Sequence, residues 1–572
     1  MSATIRPLRA CITKGINSSQ LSRTSAKSQS LRIPVTGQRY HHRSHHAYSH
    51  SKASTGHRYT TSRHTALDPI TFIVAAVASA GIAYLYTIYT ADDRARLSDE
   101  TETLPKAHLA ADSAEVLAHD LHPDMATKLP GRPGSLTPDQ EEKLKEMWMQ
   151  TLEVFGVSPH ESETHTNGTA TPSSTATSDF EDKKKKRKSR MSLFGSKKNK
   201  ETPEASTEDN DKHGQTAEFQ RALSSQTPEQ LRAAFWSMTK HDHPDALLLR
   251  FLRARKWDVH AALVMMVSTM HWRAQEMHVD DDIMLRGEGH AIRESKSSYA
   301  AEKKEGDDFM AQLRMGKSFL HGTDKDGRPC CYVRVRLHRQ GEQSDRSLER
   351  FTVYTIETAR MLLRPPVDTA TIVFDMTDFS MANMDYTPVK FMIKCFEANY
   401  PESLGSVLVY KSPFIFSAIW KIIRGWLDPV VASKVHFCSN VHELEEWIPR
   451  SKIMKELGGD ELYTYSYLEP SPNEDAQLLN TTTRDKAQEE RTELVKSYES
   501  ETLSWIHGED SGEGRARLAQ RLAENYWRLD PFIRAKSLYD RTGVIKDGGK
   551  VDFYPSSSVA RTAGDGANDE LD

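Results

Sequence analysis

The sequence predicts an α/β fold, a mixed sheet flanked by helices, with an all-helical lobe before it and one transmembrane helix nearer the start of the chain. Three observations predict it. From Phe319 to Leu468, short runs rich in β-branched and aromatic residues alternate with helical stretches, the pattern of an α/β layer. Ahead of them, 226–280 reads as three helical runs. Further upstream, residues 70–91, ITFIVAAVASAGIAYLYTIYTA, contain no charged side chain and carry Tyr84, Tyr86 and Tyr89 toward one end. That fits a helix long enough to cross a bilayer with its rings at the interface.

Taken in order, the 572-residue chain opens with a basic segment, 1–67, expected to be disordered. It has no Asp or Glu and abounds in Arg, Lys, Ser and His, the composition of a mitochondrial presequence. Together with 70–91 it predicts a single-pass membrane protein of the mitochondrion. The alternative is the endoplasmic reticulum or another membrane, with the main domain in the cytosol. A tether, 92–134, follows. At LTPDQEEKLKEMWMQTLEVFGV a helix begins, because Thr137 can cap it, Pro138 suits the first turn, and Asp139, Glu141 and Glu142 favour the positive end of its dipole. Leu144, Met147, Trp148, Thr151, Leu152 and Phe155 then share one face, so the helix needs a partner.

Stretches 135–156 and 226–280 are expected to form the helical lobe, split by a disordered insertion, 157–225, that is nearly free of apolar residues. Inside the insertion, six basic residues from Lys183 to Lys188 can bind an anionic leaflet at about 1 kcal/mol per residue. In 226–280, Thr227 and Pro228 open the first helix, Pro244 and Asp245 the second, and Asp258 caps the third. The α/β part, 290–468, has strands at PCCYVRVRL, ATIVFDMT, SVLVYKS and VHFCS, and helices such as YTPVKFMIKCFEANYP, where Val389, Met392, Ile393 and Phe396 make one face. The five cysteines lack metal-ligand spacing and read as reduced packing thiols, with Cys330 and Cys331 on opposite faces of a strand. A helical extension, 469–555, and a disordered tail, 556–572, complete the chain.

The formal net charge of −4 argues against a nucleic-acid partner. GKS at 316–318 lacks the earlier glycine of a phosphate loop, where Ala311 stands. No GxGxxG follows a strand and no GxSxG elbow exists. HELEE at His442 ends in Glu446 rather than a second His, and HDHPD reads as a helix entry rather than a metal site. The sequence therefore assigns no catalytic residue, no metal and no cofactor. One stretch does call for a cause. Between Phe414 and Leu427 only Ser417, Lys421, Arg424 and Gly425 interrupt an apolar run. A helix apolar nearly all round is buried or sits in lipid, yet this one is too short to span a bilayer, which takes about 20 residues.

LLLRFLRARKWDV (247–259), FEANYPESLGSVLVYKSPFIFSAIWKIIRGWLDPVVASKV (396–435) and IPRSKIMKELGG (448–459) together resemble the CRAL-TRIO lipid-transfer family, notably its fungal phosphatidylinositol transfer proteins. The resemblance implies a helical lobe beside an α/β lobe whose sheet floors a lipid cavity closed by a gating helix. Phe414, Phe416, Ile419, Trp420, Ile423 and Trp426 fall on that gate. It implies a headgroup site at Arg255, Lys256, Glu402 and Lys434, with Val431 where the family has a threonine. Ala370 and Ile372 stand where phosphatidylcholine-binding members carry hydroxyls, which disfavours choline lipids. The expected ligand is a bound phospholipid, phosphatidylinositol. The expected function is its transfer between membranes, or its presentation to an enzyme, by a membrane-anchored monomer. The alternative, favoured by Val431, is a stationary sensor or scaffold for a sterol or isoprenoid.

Overall fold

The computed structural model describes residues 129–157 and 211–555. Thr137 closes a capping box with Gln140, each side chain accepting from the other's backbone N–H at 3.3 and 3.2 Å, and starts α1 (Pro138–Val154). Then come α2 (Gln215–Ser225), α3 (Pro228–Thr239), α4 (Pro244–Ala254) and α5 (Val259–His271), the last three capped by Thr227, His243 and Asp258. α5 runs into a π-helical turn, Trp272–Glu276, and a second such turn, Val279–Met284, leads to α6 (Leu285–Glu294) and α7 (Ala300–Arg314). The insertion expected over 157–225 is corrected at its C-terminal end. α2 is helical there because Phe219 and Ala222 share a buried face and pack on α5, a face too short to stand out among its polar neighbours.

The sheet has five strands in the order β1 (Ser318–Thr323), β2 (Pro329–Arg334), β3 (Ala370–Asp375), β4 (Leu404–Tyr410) and β5 (Val435–Cys438). β1 and β2 are antiparallel; the other pairs are parallel, so the sheet is mixed. The β1–β2 turn is TDKDGRP, in which Asp324 Oδ1 accepts from the N–H of Asp326 and of Arg328 and Gly327 takes a φ of 76° that a side chain would strain. The parallel pairs need crossovers. These are α8 (Asp345–Leu362), α9 (Tyr386–Lys394) with a π-helical turn at Cys395–Asn399, and the pair α10 (Phe416–Arg424) and α11 (Pro429–Ser433). Right-handed crossovers stepping the same way along the sheet lie on one of its faces.

Alternation along the strands divides the sheet residues between two environments. Cys330, Tyr332, Val373, Leu408 and Tyr410 face a solid layer after β5, made by Leu444 of α12 (Val441–Glu445) with Ile448, Ile453, Met454 and Leu457. Cys331, Ile372, Val407 and Val409 face the crossover helices. The two adjacent cysteines do take opposite faces, and the four described cysteines are buried free thiols.

Two long C-terminal helices, α13 (Thr481–His507) and α14 (Glu513–Leu529), are followed by a short α15 (Leu538–Arg541). They supply the partner that α1 needs. Trp148 meets Phe235 of α3 and Tyr498 of α13 at 5.7 Å between ring centroids, inside a core that also holds Leu494, Val495, Trp505, Ala519 and Leu522. At its centre Asp245 Oδ1 accepts from Trp148 Nε1 at 2.7 Å, from Tyr498 OH at 2.9 Å and from Arg515 Nη2. Burial alone would raise the Asp245 carboxyl, but Arg515, His243 and these hydrogen bonds outweigh it and hold the pKa below the usual carboxylate value.

No helix among the described residues is long and apolar enough to cross a membrane. That overturns the transmembrane helix in the expected fold class and, with it, the expected location as a single-pass membrane protein. The physical reason is that the apolar α5 has only 13 residues, while the longest helix, α13, is polar and reads TTTRDKAQEERTELV over its first turns. The segment 70–91 on which both expectations rested lies outside the described residues, as do the presequence-like start and the basic run from Lys183 to Lys188.

Removing one partner of a buried ion pair leaves the other charge uncompensated, a loss of about 3–5 kcal/mol. Asp245→Ala is therefore expected to lower the unfolding free energy by about that much, read from guanidinium melts. Because the folded pKa is depressed, the Asp245 contribution is full above the unfolded value of about 3.9 and is lost as pH falls through the folded one. A variant with wild-type stability at pH 7 would contradict this role.

Candidate functional site

The crossover helices do not close tightly onto the sheet. Between them lies a cavity of about 270 Å³. Its floor is Cys331, Val333, Ile372, Phe374, Val407, Val409 and Val435; its walls come from Phe351 and Ile356 of α8 and from Val389, Met392, Ile393 and Phe396 on and after α9; its roof is Phe416, Trp420 and Ile423 of α10, with Leu427 and Val431. The α9 face expected from spacing thus borders the cavity.

The expected gate residues separate into three groups. Phe416, Trp420 and Ile423 line the cavity, while Ile419 is buried in the same core. Trp426 turns away to pack on Tyr386 at 5.2 Å, edge to face, with Lys390 Nζ 4.8 Å from its ring centre. Phe414 does not line the cavity and is 68% exposed. Ser417, Lys421 and Arg424, the polar stripe, face outward. Beside them Ile415, Ile422, Val430 and Phe437 are also exposed, so the lid is apolar toward the cavity and partly apolar outside.

Of the headgroup candidates only Val431 lines the cavity, and Lys434 and Glu402 stand near Leu404 and Val407 of its lining, where β4 and β5 begin. Lys434 Nζ donates to Leu404 O at 2.8 Å, and Lys434 O accepts from Val407 N at 2.8 Å. Glu402 stands two residues before Leu404, and its carbonyl accepts from Arg250 Nη1 of α4 at 3.0 Å. Val431 borders the cavity one turn before Lys434. Arg255 donates through Nη2 to Gln215, whose own Nε2 donates to Ala398 O at 3.2 Å. Burial pulls the Arg255 pKa down, against the raising influence of Asp428, Asp211 and Glu397. Lys256 is exposed. Among the described residues, Arg255, Lys256, Glu402 and Lys434 form no ion pair with one another or with any other side chain. Lys256 and Glu402 also have positive φ, 51° and 53°, a conformation that costs a non-glycine residue about 1–2 kcal/mol and that recurs at functional sites.

Two further features carry no signal in the sequence. The far end of the cavity is polar, bordered by Gln312, Lys317, His338, Asn383 and Asp385; burial pushes the Lys317 ammonium down to about 8, and its Nζ donates to Gln343 Oε1 at 2.7 Å. The second is a clasp at the C-terminal end of the lid. The Glu397 carboxylate, on the π-helical turn after α9, is met at 2.8 Å by both Lys212 Nζ and His213 Nε2 and accepts from Asp428 N at 2.6 Å; Lys212 also donates to Trp426 O. Burial opposes ionisation of Glu397, but the His213 and Lys212 hydrogen bonds prevail and hold its pKa below the usual range. These partners are scattered along the chain, so only folding brings them together.

Fold and cavity together define an α/β protein with an apolar space beneath a helical lid. A family model described as CRAL/TRIO domain matches residues 313–459, and one described as CRAL/TRIO, N-terminal domain matches 215–268. The chain is 44% identical over 426 residues to "CRAL-TRIO domain-containing protein C3H8.02" of Schizosaccharomyces pombe, spanning 73% of this chain and 92% of that one. It is 36% identical over 452 residues to "Phosphatidylinositol transfer protein CSR1" of Eremothecium gossypii, spanning 73% and 99%. To "SEC14 cytosolic factor" of Yarrowia lipolytica it is 30% identical over 232 residues, 38% of this chain and 43% of that one. The chain belongs to the CRAL/TRIO family of lipid-binding and lipid-transfer proteins.

Hydrogen bonds to a charged group are worth about 1.5–3 kcal/mol. Glu397→Gln is therefore expected to speed amide hydrogen exchange across 423–428 by about tenfold, while exchange in β3 stays at the wild-type rate. Unchanged exchange at 423–428 would show that the clasp does not hold the lid.

Proposed function

We propose that this chain is a non-enzymatic carrier of a phospholipid, phosphatidylinositol, which it exchanges between membranes or presents to an enzyme, acting as a monomer without a cofactor. The observation that carries the reading is the apolar, lidded cavity, with Lys434 beside its lining residue Leu404 and paired with no carboxylate among the described residues. An inositol phosphate supplies the missing anion, and Glu402 supplies an acceptor for inositol hydroxyls. The printed name of the Eremothecium relative, a phosphatidylinositol transfer protein, supports the same cargo.

Energetics assign the discrimination to these few side chains. Burying a methylene from water is worth about 0.8 kcal/mol, but a lipid leaves a bilayer that already shelters its tails, so tail burial nearly cancels. The headgroup decides. The exposed Ile415, Ile422, Val430 and Phe437, with Lys411, Lys421 and Arg424 among them, give the outer side of the lid the mixed apolar and basic character that suits an anionic membrane surface. The basic run from Lys183 to Lys188 adds to the same attraction. Val431, which puts an isopropyl group rather than a hydroxyl at the cavity edge, favours a second reading in which the cargo is a sterol or isoprenoid and the protein a sensor or scaffold.

Lys434→Ala is expected to cut phosphatidylinositol transfer between vesicles at least tenfold, the loss of one charged contact of about 1.5–3 kcal/mol, with an unchanged melting curve. Transfer at the wild-type rate would retire the headgroup site, and sterol transfer that exceeds phosphatidylinositol transfer in both proteins would favour the second reading.

A further inference from the structure

On the helical lobe, away from the cavity, three side chains that can ligate a metal converge. Glu218 of α2, His271 at the end of α5 and Glu276 at the end of the π-helical turn each bring one ligand atom within 4.8 Å of the other two. His271 is 5% exposed. Its Nδ1 is 2.8 Å from Gln226 Oε1; in the tautomer that carries its proton on Nδ1, the Nε2 lone pair is the atom offered to a cation. That Nε2 makes no hydrogen bond; its nearest acidic neighbour is Glu218 Oε2 at 3.9 Å.

The backbone explains why Glu276 is there. Residues five apart in an α-helix point in different directions, but a π-helical turn closes i→i+5 hydrogen bonds and stacks such residues; Met277 N donates to Trp272 O at 2.9 Å in this register. The turn thereby brings Glu276 over His271. Outside the trio sit groups that steady ligands. Gln226 fixes the imidazole, and Arg221 Nη1 donates to both Glu218 oxygens at 2.7 and 2.8 Å and lies 3.7 Å from Glu276 Oε1. Hydrogen-bonded partners behind each ligand are the usual surroundings of a bound cation. Arg221 is 55% exposed, so it can remain behind Glu218 while the inner position is filled.

We propose that Glu218, His271 and Glu276 bind a divalent transition cation. One imidazole and two carboxylates suit Zn²⁺ or Mn²⁺, and the exposed side of Glu276 leaves room for water to complete the coordination. The cation ties α2 to α5, and α2 begins at Gln215, which holds Arg255 and Ala398; the site therefore braces the helix that positions Arg255.

Full-length protein stripped with chelator and titrated with Zn²⁺ tests this. The chain has 24 histidines, several in HHRSHH near its start, so the reading is a difference. Wild type is expected to bind one equivalent more than His271→Gln or Glu276→Gln, and only wild type is expected to melt several degrees higher with Zn²⁺, since a site built by folding stabilises the folded chain. Glu276 is exposed, so its variant keeps the fold. Equal stoichiometry and equal melting shifts in the three proteins would overturn the proposal.

Discussion

The structure depends on covering one face of one sheet. Both faces of a largely parallel sheet must be shielded from water. Here one is packed solid by the chain after β5, while the other meets helices that stop short of it. The open face exposes Ile372, Phe374, Val407 and Val409 to a cavity that Ser318 and Arg334 of the strands also line. An apolar ligand completes that face as a core side chain would, and the lid helix has to satisfy the ligand below and the surroundings above. Its sequence follows from those two demands.

The two ends of the cavity differ in how their charges are resolved. At the far end Lys317 donates to Gln343 and His338 faces Asp385 at 3.4 Å, while Gln312 Oε1 and His338 Nε2 make no hydrogen bond. At the β4–β5 end Lys434 has only a backbone carbonyl, and Glu402 has only its carbonyl engaged. Elsewhere buried charge is met in both ways: Glu357 takes Arg273, Arg360 and Tyr400 together, whereas buried Arg491 has only the carbonyls of Leu522, Trp236 and Lys240.

Much of this was legible in the sequence, for identifiable reasons. Helix starts at Thr137, Thr227 and Asp258 depend on one side chain and its neighbours, and strand alternation is local, so Cys330 and Cys331 parted as expected. The odd composition of 414–427 marked the lid. What was not legible depends on distant partners. The clasp needs Lys212, Glu397 and Asp428 brought together; the Glu218, His271 and Glu276 trio needs a π-helical turn that no residue type announces. α13 and α14 read as helices, but not as contributors to the first lobe's core. The apolar run at 70–91 invited a membrane-spanning helix, and the described helices contain none.

A bound lipid puts the account to its most direct test. Full-length protein purified from cells and extracted into organic solvent is expected to yield, by mass spectrometry, about one diacyl phosphoinositide per chain. Protein that carries no lipid and takes none up from phosphatidylinositol vesicles would contradict the claim that the space above the sheet is a cargo site.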